Sequence, residues 1–351
     1  MQSLTVLNLS LYPPLSLETI AAVSPDIRVI DARHKFDEEM RESWPKATTE
    51  RYLPRPRADA PQSGLTARER RQELDALLGQ ADVVCIGFPY PLDLVSRAPR
   101  LKWVHQMTAG ASNFRLGDIW GSRVVATNSR GHHMTLPIAE YVMAAVLALA
   151  KEFPRAFRDK QKKSQERRDY RPILLQGKTL GVVGLGGIGK EVARRARALG
   201  MRVVATRRSA SVRADNVDGV DTLFPPQDLC TMLHECDFVA LCAQHTTETE
   251  KMMGEAQFRA MKPSAFLVNV ARGGLVDEDA LVKALREGWI AGAVLDVYQD
   301  EFGSRPRNDF WELQNVILTP HNAGATDGTV SQAAEVFYDN LKRFIAGEKL
   351  L

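Results

Sequence analysis

Short apolar runs alternate with stretches of helical period along most of this chain. Thr5–Leu9, Arg28–Asp31, Asp82–Gly87, Leu101–His105 and Arg123–Thr127 read as short strands. Ala67–Leu78 has a helical pattern between two of them. Further on, Leu180–Val183, Arg202–Ala205, Phe238–Cys242, Ala265–Asn269, Gly292–Leu295 and Val316–Leu318 form a second strand series. Helices are expected between these at Lys190–Leu199, Pro226–Glu235, Gly254–Ala260 and Glu278–Glu287, with a last one at about Val330–Ile345. Near-continuous apolar strands separated by helices predict parallel sheets covered on both faces, an α/β fold of the doubly wound kind. Between the two series, Leu136–Phe153 carries Ile138, Val142, Val146 and Leu149 on one face and predicts a helix whose stripe belongs to a core or a dimer interface. Trp44–Gly64 is rich in Pro, Arg and polar residues without a period, and is expected to be irregular.

The chain has 351 residues, too long for one ordinary core and suited to two domains. The formal net charge is only +3, and the basic run Arg155–Arg171 is broken by Asp159, Glu166 and Asp169, so no nucleic-acid surface is expected. Cys85, Cys230, Cys236 and Cys242 make no C-x-x-C pair, and buried free thiols in a reducing compartment are the simplest reading. The first residues suggest a strand and a Pro-Pro turn rather than a signal peptide, and Ile138–Ala150 is too short to span a bilayer. A cytoplasmic location without a membrane partner is the expectation.

Candidate chemistry begins at Gly184-Leu-Gly186-Gly-Ile-Gly189, a G-x-G-x-x-G turn. It follows the strand LGVV, opens a helix and precedes a second strand, the setting of a dinucleotide-binding turn. There Gly184 permits the tight turn, Gly186 admits a pyrophosphate, and Gly189 lets helix pack on strand. Gly187 and Ile188 lie inside the same turn. The second strand ends in Thr206-Arg207-Arg208-Ser209, where an acid would bind the ribose 2′-hydroxyl of NAD. Arginine suits a 2′-phosphate instead, so NADP is the expected cofactor, with NAD possible.

Three later segments place ionisable residues just beyond expected strands: Arg272, Glu301 and His321. In an open α/β sheet the carboxyl ends of the strands face the ligand. Histidine is a natural proton donor near neutrality, a carboxylate beside it favours the imidazolium, and a guanidinium fork fits a carboxylate. His105, His132, His133 and His245 have no such setting and are expected to be structural. A metal site is not expected.

The glycine turn, NVARGGLVDEDAL (269–281) and TPHNAGAT (319–326), occurring in that order, resemble the D-isomer-specific 2-hydroxyacid dehydrogenase family, with the match running over roughly residues 80 to 351. The resemblance implies a Rossmann cofactor domain at 129–320 inserted into a flavodoxin-like substrate domain at 1–128, to which a C-terminal helix within 321–351 returns. It implies that Arg272 holds the substrate, His321 is the general acid/base and Glu301 its acidic partner. Ala109 and Gly110 match the loop whose amides receive the substrate carboxylate. Thr249, Val270, Ala271 and Asp296 join the cofactor side, and a homodimer is implied. Phe302 and Gln244 depart from common prolines, His245 sits beside the latter, and Gly131–Pro137 aligns only with a gap, which leaves the pocket lining open. Glyoxylate or hydroxypyruvate is the expected substrate type; a single helix after Pro320 disfavours the alternative, 3-phosphoglycerate with NAD. A non-catalytic dinucleotide sensor is the alternative outside enzymes.

Overall fold

The computed structural model describes residues 3–10, 15–53, 66–129, 135–164, 166–327 and 329–351. The chain divides into two compact units, one of residues 1–134, 302–304 and 326–351, the other of residues 135–301 and 305–325.

The first unit is built on β1 (Leu4–Asn8), β2 (Ile27–Asp31), β3 (Val83–Ile86), β4 (Trp103–Gln106) and β5 (Val125–Asn128). These pair in parallel in the order β2-β1-β3-β4-β5. Successive residues of β1 and β3 serve opposite faces: Leu7, Val84 and Ile86 enter one apolar cluster, Val6, Val83 and Cys85 another. That two-sided burial is why the strands read as continuous apolar runs. The second cluster is completed by Phe337 and Leu341 of the C-terminal helix Thr329–Ala346, with Phe337 stacked on Trp103 at 5.5 Å between ring centres.

The second unit contains β6 (Thr179–Val183), β7 (Arg202–Thr206), β8 (Ala214–Val217), β9 (Val220–Phe224), β10 (Phe238–Leu241), β11 (Phe266–Asn269), β12 (Gly292–Leu295) and β13 (Val316–Leu318). Among the described residues the order is β13-β12-β11-β10-β6-β7-β9-β8. Every pairing is parallel except that of the edge strand β8 with β9. Both faces are again filled by alternation, with Val203, Phe238 and Val268 on one side and Val204, Val239 and Leu267 on the other.

Three features differ from the sequence expectation. Trp44–Gly64 is not wholly irregular: Lys46–Tyr52 is a helix that starts directly after Pro45, a residue suited to a helix start, and Trp44 is buried with its Nε1 donating to the Tyr90 carbonyl at 2.8 Å. The rest of that segment, from residue 54, lies outside the described residues, as do the Pro-Pro turn, His132 and His133. The helix expected at Leu136–Phe153 runs over Thr135–Ala150 and gives way to a second helix, Phe153–Gln161, through Glu152 in the left-handed region. Pro154 has no amide to continue the first helix. Its stripe is core: Val142, Val146 and Leu149 are buried, with Ile138 packed against them. Finally, β8 and β9 form an unforeseen hairpin whose turn, Asp218-Gly219, has positive φ at both residues. Val217-Asp-Gly-Val220 is itself a strong hairpin signal, masked by the polar residues of β8.

Cys85 and Cys236 are buried free thiols, Cys242 is partly buried and Cys230 exposed. No helix among the described residues is long and apolar enough to cross a membrane.

His105 on β4 is fully buried, its Nδ1 2.8 Å from Thr127 Oγ1 and its Nε2 3.2 Å from Ser129 Oγ. Burial pushes its pKa down from 6.5 to about 3. The unfolded chain therefore takes up this proton first on acidification. The contribution of His105 to stability is complete above pH 6.5 and is lost as pH falls from there towards 3. His105→Gln is expected to flatten the decline of Tm over that window. Thermal melts of both proteins across the range check this, and parallel declines would refute it.

Candidate active site

The glycine turn lies between β6 and the helix Gly187–Ala198. Gly184 has φ +101°, and a Cβ there would sit 2.6 Å from Ala243 Cα. A Cβ on Gly189 would sit 2.4 Å from the Gly184 carbonyl oxygen. At Gly186, by contrast, a Cβ meets nothing within 4 Å. Two glycines thus serve packing, and the third leaves open room beside a helix N-terminus, which fits a dinucleotide phosphate. Gly187 is exposed and Ile188 half-buried in the first turn of that helix.

The neighbouring strands β11, β12 and β13 end level with one another, Asn269 paired with Leu295 and Leu295 with Leu318. Their continuations carry the reactive candidates. Beyond β11, the buried Asn269 accepts from the Ala271 amide at 3.1 Å and donates to the Arg272 carbonyl at 3.1 Å, shaping the loop that presents Arg272. Gly273 lies flush against the continuation of β12: a Cβ there would be 1.9 Å from the Tyr298 carbonyl carbon. That continuation is held by the Gln299 amide, which donates to Glu278 Oε1 at 2.7 Å, and it leads into Glu301. Burial raises the Glu278 carboxyl above its usual range.

Glu301 is buried, and its Oε2 lies 3.0 Å from Nδ1 of His321, whose side chain is a quarter exposed. A carboxylate accepts only, so Nδ1 is the donor in this pair and Nε2 takes no part in it. His321 itself has φ +55°. Its segment is tied to Asp296, which is 1% exposed: Oδ1 accepts from Thr319 Oγ1 at 2.6 Å and from the Asn322 amide at 2.9 Å, and Oδ2 from the Ala323 amide at 2.9 Å. Tyr141 hydrogen-bonds Thr319 in turn, and burial pushes its phenol up to about 12.

The other expected residues fall as follows. Val270 is buried in the core of the unit and Ala271 is half-buried. Thr249 closes its own turn, donating to the Gln244 carbonyl at 2.6 Å and accepting from the Thr246 amide at 2.8 Å. Arg207 follows β7 as expected and is ion-paired to Asp218, while Arg208 and Ser209 are exposed. Ala109 and Gly110, in the first unit, precede the 3-10 helix Ala111–Leu116; Gln106 Nε2 binds Thr108 Oγ1 at 2.6 Å and the Gly110 carbonyl at 3.2 Å and so folds that loop. His245 pairs with Glu250 and covers Gly274. Among the described residues no His, Cys, Asp or Glu side chains gather into a metal site. Asn269, Gly273, Glu278 and Asp218 were not singled out from the sequence. Two carried a signal: Gly273 in the paired glycines after Arg272, and Asp218 in the Asp-Gly dipeptide of its turn.

A glycine turn with room for a dinucleotide phosphate, and a histidine–carboxylate pair beyond other strands of the same sheet, fit a nucleotide-dependent oxidoreductase. Residues 143–323 match the family described as D-isomer specific 2-hydroxyacid dehydrogenase, NAD binding domain. A glyoxylate reductase of Thermococcus litoralis is 35% identical over 288 residues, 80% of this chain and 83% of the relative. A D-3-phosphoglycerate dehydrogenase of Methanocaldococcus jannaschii is 32% identical over 289 residues, 82% of this chain but 53% of the relative. A solved D-isomer specific 2-hydroxyacid dehydrogenase family protein of Aeromonas salmonicida superposes with a TM-score of 0.76 at 26% identity, covering 99% of this chain and 97% of that one. The chain belongs to the D-isomer specific 2-hydroxyacid dehydrogenase family. It is an enzyme of that class, and its cofactor is a nicotinamide dinucleotide.

The roles of the glycines separate experimentally. Gly186→Ala is expected to fold with wild-type Tm and to bind the dinucleotide more weakly. Gly189→Ala is expected to lower Tm, because its Cβ collides with backbone. Thermal melts and calorimetric titration with NADPH check both, and a reversal of the two patterns would refute the assignment.

Proposed function

We propose that this enzyme reduces a short 2-keto acid, of the glyoxylate or hydroxypyruvate type, with NADP(H) preferred over NAD(H). The observation that carries the reading is the pairing of His321 Nδ1 with the buried Glu301 at 3.0 Å, beyond two successive strands of which β12 adjoins β11, the strand before Arg272. Relatives named glyoxylate reductase, at 35% and 36% identity, support the substrate type. Gly184, Gly186, Gly187, Ile188 and Gly189 would hold the pyrophosphate, and Val270, Ala271, Thr249 and Asp296 would flank the nicotinamide side. When bound, the reduced nicotinamide supplies the hydride.

The chain's own residues do the rest. Arg272 binds the substrate carboxylate and steadies the charge that grows on the carbonyl oxygen. Ala109 and Gly110 offer backbone amides for a carboxylate. As the hydride adds to C2, the carbonyl electron pair moves onto oxygen, and His321 Nε2 delivers the proton that converts it to hydroxyl. Glu301 keeps the imidazole oriented and compensates its positive charge before transfer. Oxidation of the hydroxy acid runs the same steps backwards, with His321 as base. The working form is proposed to be a cytoplasmic homodimer.

Turnover of NADPH with a panel of glyoxylate, hydroxypyruvate and 3-phosphohydroxypyruvate tests the substrate class; a preference for the phosphorylated acid would overturn the reading. His321→Asn is expected to lower kcat for keto-acid reduction by about a hundredfold or more while cofactor affinity holds. Near-normal kcat in the variant would remove His321 from proton transfer.

Cofactor preference rests on Arg207. A charge-assisted hydrogen bond to a 2′-phosphate contributes about 1.5–3 kcal/mol, roughly ten- to a hundredfold in affinity. The wild type is therefore expected to show a kcat/KM for NADPH above that for NADH by about tenfold or more, and Arg207→Asp to reverse the order. Steady-state kinetics of both proteins with both cofactors decide; a wild type that prefers NADH would show that Arg207 does not meet the ribose.

A further inference from the structure

Arg207 is engaged by an acid that comes from neither its own strand nor the glycine turn. Asp218 sits at the tip of the β8–β9 hairpin and is ion-paired to Arg207 Nη1. Its other carboxylate oxygen lies 3.3 Å from Nζ of Lys190, in the first turn of the helix that the glycine turn opens. Three elements thus each send one charged side chain to the same place: the end of β7, the phosphate-facing helix and the hairpin. The Asp218-Gly219 turn, with φ of +52° and +80°, fixes where the carboxylate is delivered. Both members of the Arg207–Asp218 pair are about a third exposed, at 35% and 32%, so an incoming anion has access. Arg207 first, and then Lys190, hold the Asp218 carboxyl below its usual range, so it is ionised at neutral pH.

We propose that Asp218 is a cofactor-specificity residue: its carboxylate competes with a 2′-phosphate for Arg207 and Lys190, and so restrains the preference for NADP(H). The proposal rests on the reading that Arg207 meets the 2′ substituent of the ribose. The electrostatics are simple. A phosphate that approaches Arg207 must displace Asp218 from the fork or share the cation with it, and two anions on one cation repel. A 2′-hydroxyl carries no charge and leaves the pair intact. Asp218 therefore weakens NADP(H) binding selectively and is close to neutral for NAD(H). Because the pair is exposed, the exchange is of modest size and sensitive to salt.

The test is calorimetric titration of the full chain with 2′,5′-ADP and 5′-AMP, which differ only in the 2′-phosphate, and with NADPH and NADH. Asp218→Asn is the informative variant, since Asn-Gly is at least as good a turn of this type as Asp-Gly and the hairpin is kept. The variant is expected to bind 2′,5′-ADP and NADPH about three- to tenfold more tightly, with 5′-AMP and NADH unchanged. Unchanged or weaker binding of 2′,5′-ADP would overturn the proposal; the weaker result would mean that Asp218 instead orients Arg207 for the phosphate. Arg207→Ala tests the parent reading separately. If it abolishes discrimination between the two fragments while Asp218→Asn changes nothing, only the role of Asp218 fails. If Arg207→Ala leaves discrimination intact, the assignment of Arg207 fails and the proposal with it.

Discussion

A single buried carboxylate organises the reactive end of the second unit. Asp296 follows directly on β12 and spends its two oxygens on Thr319 Oγ1 and on the amides of Asn322 and Ala323, while its carbonyl accepts from the His321 amide at 2.9 Å. His321 is therefore bracketed on both sides by bonds to one residue of the adjacent strand. It needs to be, because a non-glycine residue in the left-handed region costs about 1–3 kcal/mol unless its surroundings impose it. A buried carboxylate is itself tolerable only when hydrogen-bonded, and the loop's own donors satisfy that need. The histidine loop and the buried acid thus stabilise each other. Asp296, proposed for the cofactor side, is at the same time the frame of the His321 loop.

The second constraint is how closely backbones approach. Gly273 lets the Arg272 loop lie against the carbonyl of Tyr298, where any side chain would overlap it. Glu278, at the start of the helix Glu278–Arg286, then fastens the next amide, that of Gln299. Arginine and glutamate come from different strand ends, yet their relative position is set by a backbone-to-backbone fit rather than by flexible side chains. On the far side of the sheet centre, Gly184 and Gly189 use the same device to draw the phosphate-binding helix against β6. Rigid positioning of this kind is what a near-attack geometry requires.

Much of this was legible in the sequence, and the rest was not for identifiable reasons. The inner strands carry a signal because both faces are buried, so Leu180–Val183 and Gly292–Leu295 stand out as apolar runs. The glycine turn was readable because its spacing has a mechanical cause, and Arg272, Glu301 and His321 because each follows a short apolar run, although the run before His321 is the edge strand β13. The hairpin at Ala214–Phe224 was missed since β8 lies at the sheet edge, where Asp215 and Asn216 need no apolar partner and the strand period is lost. The helix Lys46–Tyr52 was missed because Thr48 and Thr49, both buried, replace the apolar stripe on which helix recognition depends. Asp296 was expected as a site residue from the resemblance alone, and its bonds to residues 319, 322 and 323 join segments more than twenty positions apart, which no local pattern encodes.

The two charged clusters of the second unit differ in a way that matches the role proposed for each. At the reactive end the carboxylates are sequestered, Glu301 at 3% exposure and Asp296 at 1%, so their partners are fixed and salt barely reaches them. Removing one would leave buried donors unsatisfied, at about 1–3 kcal/mol for each. Beyond β7, Arg207, Lys190 and Asp218 are a third to a half exposed, where an ion pair is worth little and can be exchanged for another anion. Proton transfer tolerates no slack in geometry, whereas the choice between two dinucleotides needs only a small difference in affinity. Under the proposed function, burial fixes the chemistry, and exposure leaves cofactor choice adjustable by single substitutions at the strand end or the hairpin tip.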